Sequence, residues 1–239
     1  MRGRRGRGFK RRRRFRKKGG VRRLVKRVRR IEKSIETKQI FAGVAAQQYY
    51  MPDIGTFISQ TFLLNGLAGG SDVSERVGEK VVWTSMDIAF FCEADNDGAA
   101  FKTQQVRILL YWDRQCNGEG PPDLGYLLEI ANTAAPLPRE CWSQRQWENR
   151  KRFRMIKDKF ITLRYMGTTG GQNFLDTQSR LWRKHIKLGR TPTMYQGTGA
   201  SVVSVNRNAL FCTIISNVPE SNTHGPYVDF NARLRYQDL

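Results

Sequence analysis

The first thirty residues of this chain contain no aspartate or glutamate, although 21 acids occur in all. The same stretch holds 18 of the 42 lysines and arginines, twelve of them in MRGRRGRGFKRRRRFRKKGG. Taking that +18 from the formal net charge of +21 leaves +3 for the rest. The chain is therefore a polycationic arm on a nearly neutral body, which excludes a uniformly basic protein. Such an arm cannot fold alone, because its cations repel and its few apolar groups cannot offset the entropy of ordering.

Other shortages narrow the function further. No run of about 18 apolar residues occurs, which predicts no membrane insertion, and the N-terminus lacks the apolar run of a secretory signal. Residues 1–18 contain no serine, unlike the serine-rich leaders of organellar proteins. Cys92, Cys116, Cys141 and Cys212 are scattered with no CxxC pair, and His185 and His224 are the only histidines. No zinc or other metal site is expected, and the thiols are expected to be reduced. Neither histidine sits in a pattern that would activate a nucleophile. Gly197-Thr198-Gly199 lacks the lysine of a phosphate-binding loop, and GTTGGQ at 167–172 reads as a turn. The carboxylates Asp95, Asp97 and Asp158 are not grouped as a two-metal nuclease requires. The expectation is a protein that is not an enzyme and uses no cofactor.

The excess of basic residues points to a polyanion. Nucleic acid, an anionic membrane surface and a nuclear import receptor could each engage such an arm. Arginine dominates it, and the guanidinium matches phosphate geometry, which favours nucleic acid. The candidate phosphate contacts are Arg2, Arg4, Arg5, Arg7, Lys10, Arg11, Arg12, Arg13, Arg14, Arg16, Lys17 and Lys18. Within them, Lys10, Arg11, Arg12, Arg13, Arg14, Arg16, Lys17 and Lys18 also have the composition of a nuclear localisation signal.

Residues 1–20 are expected to be a disordered arm ending in the hinge Gly19-Gly20. Over 21–37, Val21, Leu24, Val25, Val28, Ile31 and Ile35 recur at helical spacing, while Arg22, Arg23, Lys26, Arg27, Arg29, Arg30 and Lys33 occupy the other faces. This basic amphipathic helix would either lie on a membrane or pack its stripe on protein and offer its cations to nucleic acid. The narrow β-branched stripe, without Trp or Phe, favours the second.

From residue 38 the period changes to two. Strands are predicted at Lys38–Ala46, Thr56–Leu64, Lys80–Cys92, Gln105–Asp113, Phe153–Tyr165, Arg180–Leu188, Val202–Val205, Ala209–Ser216 and Val228–Tyr236. Short helices are predicted near Asp123–Ile130 and Ser143–Lys151. Many strands with long loops point to an all-β antiparallel sandwich or barrel over 38–239. In RLWRKHIKL, Arg183, His185 and Lys187 share a face, either as a solvated row or as a phosphate-facing surface. Trp112 and Trp182 read as core, whereas Trp142 and Trp147 read as contacts between subunits.

The order of motifs resembles the coat proteins of geminiviruses and related circular single-stranded DNA viruses. SERVGEKVVWTSMDIAFF carries Arg76-Val77-Gly78 ahead of a strand. VRILLYWDRQCNGEGPPDLGYLLEI carries Asp113-Arg114-Gln115, then Asn117-Gly118 and Pro121. RFRMIKDKFITL, RLWRKHIKL, NALFCTII and ARLRYQD follow in order. The resemblance covers roughly residues 71–239 plus the basic N-terminus, and extends equally to coat proteins of small satellite RNA viruses. The Cys/His clusters frequent in geminivirus coat proteins are absent, so their metal-linked DNA binding does not carry over.

The resemblance implies a single eight-stranded antiparallel jelly roll of viral coat type. It also implies a small icosahedral (T=1) shell of about 60 copies of this chain, with the arm inside against single-stranded nucleic acid, DNA before RNA. Location in the virion and the host nucleus would follow. A nucleic-acid-binding protein of transport, ribosomal or chromatin type, with a basic tail and no shell, is the alternative.

Overall fold

A computed structural model describes residues 23–27, 37–48, 61–72, 74–94, 103–129, 141–164, 179–218 and 225–238. The chain divides into two units, Met1–Thr37 and Lys38–Leu239. In the first, residues 23–27 are helical, with Arg23, Lys26 and Arg27 exposed. Leu24 and Val25 of the apolar stripe are exposed as well. The expected arm, together with Arg22, Arg29 and Arg30, lies outside the described residues.

The second unit is all-β. Its strands are β1 (Lys38–Gln48), β2 (Thr61–Leu63), β3 (Lys80–Glu93), β4 (Thr103–Asp113), β5 (Phe153–Arg164), β6 (Ser179–Tyr195), β7 (Val205–Arg207), β8 (Ala209–Ser216) and β9 (Tyr227–Asp238). They form two antiparallel sheets, ordered β1-β9-β3-β6-β7 and β2-β8-β4-β5. One apolar core draws on both, with Trp83, Met86, Ile88 and Phe90 from the first and Ile108, Leu110, Trp112 and Ile214 from the second.

Hydrophobic patterning reports which strands are covered on both faces. In β9, Val228, Phe230, Ala232, Leu234 and Tyr236 are buried, while Asp229 and Asn231 are exposed and Arg233 and Arg235 half-buried. That is the alternation of a sheet with one wet face. In β8 every residue is buried, and in β4 all but Thr103 and Gln105. Both are covered on both faces of the sheet, and both are mostly apolar for that reason.

Three expectations need correcting. Val202–Ser204 is a 3-10 turn, and the strand begins only at Val205. The helix expected over Asp123–Ile130 is one turn, Leu124–Leu127, and that over Ser143–Lys151 is a 3-10 helix at Glu148–Lys151. The strand expected to end at Leu188 continues to Tyr195 through a bulge. Trp83 pairs with Thr191 and Ser85 with Lys187, so Leu188, Gly189 and Arg190 face a single residue of β3. Gly189 and Arg190 take positive φ there, 68° and 57°, which glycine accommodates without a Cβ clash.

Several residues of the motifs quoted above hold the fold together. Arg76, 3% exposed, donates to Leu67 O at 3.3 Å and also to Gly78 O and Gly197 O, with its guanidinium 4.6 Å from the Tyr195 ring centre. The Asp113 carboxylate, fully buried, accepts from Arg152 at 3.0 and 2.9 Å and from the Gln115 amide at 2.9 Å. Trp112 is core, and Trp182 packs half-buried against it. The four cysteines are free and buried, and burial pushes the Cys92 and Cys141 thiols up to about 12. Among the described residues no helix is long and apolar enough to cross a membrane.

Candidate nucleic-acid interface

The basic row of β6 lies on the solvent face of the five-stranded sheet. Arg183, His185 and Lys187 are exposed, whereas Trp182 and Ile186 on the opposite face are half-buried and Leu188 is buried. Antiparallel pairing sets each member of the row opposite a residue of β3 and then of β9. Arg183 faces Ala89 and then Asn231, His185 faces Asp87 and then Arg233, and Lys187 faces Ser85 and then Arg235. Beyond Arg233, β1 contributes Phe41, which is 62% exposed. Successive members of a row stand about 7 Å apart along a strand.

Asp87 is the hub of this surface. Its Oδ1 accepts from His185 Nδ1 at 2.6 Å, and its Oδ2 from Arg233 at 3.1 Å and Arg235 at 2.8 Å. The bond from His185, then those from the two arginines, hold the Asp87 carboxyl at about 2, against an ordinary 3.8. An ionised carboxylate only accepts, so the imidazole donates from Nδ1 in this contact. A second Arg235 nitrogen reaches Ser85 Oγ at 3.4 Å.

Four permanent cations, Arg183, Lys187, Arg233 and Arg235, thus share the face with Asp87 and, one row beyond, Asp229 opposite Phe91. A shallow depression of about 430 Å³ runs across it, lined by Phe41, Asp87, Arg183, His185, Asn231 and Arg233 among others. Asp87 is only a third exposed, while the side chains of His185 and Arg233 are 52% and 43% exposed. The carboxylate aligns the donors, and their free edges point to water. Such a surface can take an anion by charge-assisted hydrogen bonds.

No protein-family model matches the chain, and no curated protein matches it either.

Of the expected contacts, Arg183, His185 and Lys187 come together on one face, and Arg23, Lys26 and Arg27 lie on exposed helix in the other unit. Arg2, Arg4, Arg5, Arg7, Arg22, Arg29, Arg30 and the run Lys10–Lys18 are outside the described residues, as are Asp95, Asp97 and the GTTGGQ segment. Among the described residues, no group of three or more His, Cys, Asp or Glu could hold a metal ion. Sequence reasoning missed Asp87, Arg233 and Arg235. The alternation in ARLRYQD already placed both arginines on a polar face. That this face continues the β6 row depends on β3 pairing with both strands.

Proposed function

We propose that this chain is a viral capsid protein whose body is a jelly roll and whose N-terminal arm packages single-stranded nucleic acid. The observation that carries the reading is the pairing order. Among the described residues β7 only extends the edge of the five-stranded sheet, and with it set aside the first strand pairs with the last (β1 with β9). Moving inward, β2 pairs with β8, β3 with β6 and β4 with β5. That nested order supports reading the body as one long antiparallel ribbon rolled into two sheets, as in the jelly rolls of viral capsid, lectin and cupin domains.

A fold alone does not choose among those functions. The arm does. Eighteen cations per subunit, repeated over a shell of about 60 copies, come to on the order of a thousand charges, a scale suited to a small packed genome. Contacts of this kind release condensed counterions, so binding depends steeply on salt and little on sequence. The basic face of the five-stranded sheet adds phosphate contacts from the body. The genome is read as single-stranded DNA, which agrees with Lys10–Lys18 serving also as an import signal to the host nucleus. No catalytic step and no cofactor are assigned.

Negative-stain imaging of purified full-length protein, with nuclease digestion before extraction of nucleic acid, tests the reading. Closed particles of uniform size holding nuclease-resistant single strands are expected. A small oligomer at every salt concentration, with its nucleic acid fully digestible, would instead establish the shell-less alternative.

A further inference from the structure

The outer side of the four-stranded sheet carries a second cationic groove. Arg107 of β4, 2% exposed, grips Asp158 of β5 with two bonds of 2.9 and 2.8 Å. Its third nitrogen, Nη1, donates to the carbonyls of Cys141 at 2.9 Å and Ser143 at 2.7 Å. These carbonyls flank Trp142, so that residue reaches the surface with its backbone pinned on both sides. Its indole N–H donates to Gln105 Oε1, yet the residue stays 49% exposed. Trp147, 67% exposed, carries the Arg150 guanidinium over one ring face at 3.5 Å. Tyr126 shares the groove, its carbonyl held by Asn149 at 3.1 Å.

Large aromatic rings fixed in place but left in water are surfaces organised ahead of a ligand. The groove between them measures about 610 Å³ and is also lined by Arg145, Arg150 and Arg154. Among the described residues its one acidic lining residue, Asp158, is already engaged by Arg107. A second copy docking this face on itself would set arginine against arginine, since a two-fold contact uses one patch twice. The combination suits a polyanion that also presents flat apolar faces.

We propose that this groove stacks bases of single-stranded nucleic acid on Trp142 and Trp147, while Arg145 and Arg154 meet the flanking phosphates. The proposal rests on the nucleic-acid-packaging reading and adds to the arm's sequence-blind attraction a contact that requires the base itself. Every base has a π-face, so the contact tolerates any sequence.

The test uses the full-length chain with an oligothymidylate of about twelve nucleotides and an abasic strand of equal length, a few nucleotides being the reach of such platforms. Measurements at about 0.5 M salt weaken the arm's electrostatic share. The oligothymidylate is expected to quench tryptophan fluorescence and to bind about tenfold more tightly than the abasic strand, within the range for one stacked base. Trp147→Ala should shrink that difference, Trp147→Phe should restore part of it, and the double variant Trp142→Ala/Trp147→Ala should abolish it, whereas abasic binding should be unchanged in all three. Equal affinities for the two strands, or a Trp142→Ala/Trp147→Ala protein that still tells them apart, overturn the proposal. So does a Trp147→Ala protein with altered oligomer mass but intact discrimination, which would make the groove a subunit contact. In each of these cases strand binding at low salt leaves the packaging reading standing. Loss of all binding at low salt would overturn that reading as well.

Discussion

Replacing Arg107 with leucine removes a charge that the fold has enclosed almost completely. The guanidinium is 3% exposed, doubly bonded to Asp158, bonded to two carbonyls, and 4.8 Å from the Phe160 ring centre. Breaking a buried pair from one side costs about 3–5 kcal/mol, because the other charge is left behind. Asp158 keeps 22% of its surface in water and can partly rehydrate, which argues for the low end. The orphaned carbonyls of Cys141 and Ser143 add about 1 kcal/mol each where water does not reach them. The expected loss is therefore about 3–4 kcal/mol, a large share of the roughly 5–15 kcal/mol that holds a domain together.

Urea unfolding of the unassembled protein, followed by circular dichroism, measures that loss. Hydrogen exchange should quicken first where the 141–147 segment is tied to the one-turn helix, through Glu129 N to Gln144 O and Gln146 N to Leu127 O. Asp158→Leu alone should also be costly, since it strands a buried guanidinium. The double variant Arg107→Leu/Asp158→Leu should cost clearly less than the two single changes added, because no charge is left unpaired. An Arg107→Leu cost under about 1 kcal/mol, the value of an exposed pair, would refute the reasoning. Strict additivity in the double variant would refute it too.

Asp87 should make acid stability depend on this hub: its carboxyl is held at about 2 in the fold against 3.8, so its contribution is whole above the higher value and disappears as pH falls to the lower. Asp87→Asn should erase that part of an acid-unfolding curve, and an unaltered curve would mean the hub adds nothing. At neutral pH the same variant frees Arg233 and Arg235, so single-strand binding should strengthen and its log–log salt slope steepen by about 0.7 per phosphate gained; weaker binding would turn the phosphate path away from this face. Deleting residues 1–30 should remove most strand binding and leave a β-type circular dichroism spectrum, while glutamine at Arg22, Arg23, Lys26, Arg27, Arg29 and Arg30 should only flatten the salt slope. An unchanged slope with undiminished packaging would clear those six residues of phosphate contact. A fluorescent reporter fused to residues 1–30 should gather in the nucleus, and one that stays cytoplasmic removes the import role of Lys10–Lys18.

The sequence by itself determined the polarity of the chain and the class of its body. Eighteen cations without an acid cannot be neutralised locally, so composition alone separates residues 1–30 from the rest. Alternation in YVDFNARLRYQD and the mostly apolar run in ALFCTIIS follow from the faces a strand buries, and both strands lie close to their predicted bounds. Local reasoning stopped where a residue's role depends on a neighbour far along the chain. It ended β6 at Leu188, yet pairing with β3 carries the strand on through a bulge. Asp158 gave no sign that it would enclose Arg107, 51 residues earlier, since that bond exists only once β4 and β5 lie side by side. The order of strands in each sheet, and with it the meeting of His185, Asp87 and Arg233 on one face, was likewise decided by tertiary structure. A half-buried strand pattern records which side faces water, but the identity of the strand alongside is set by long-range pairing, which leaves no local trace.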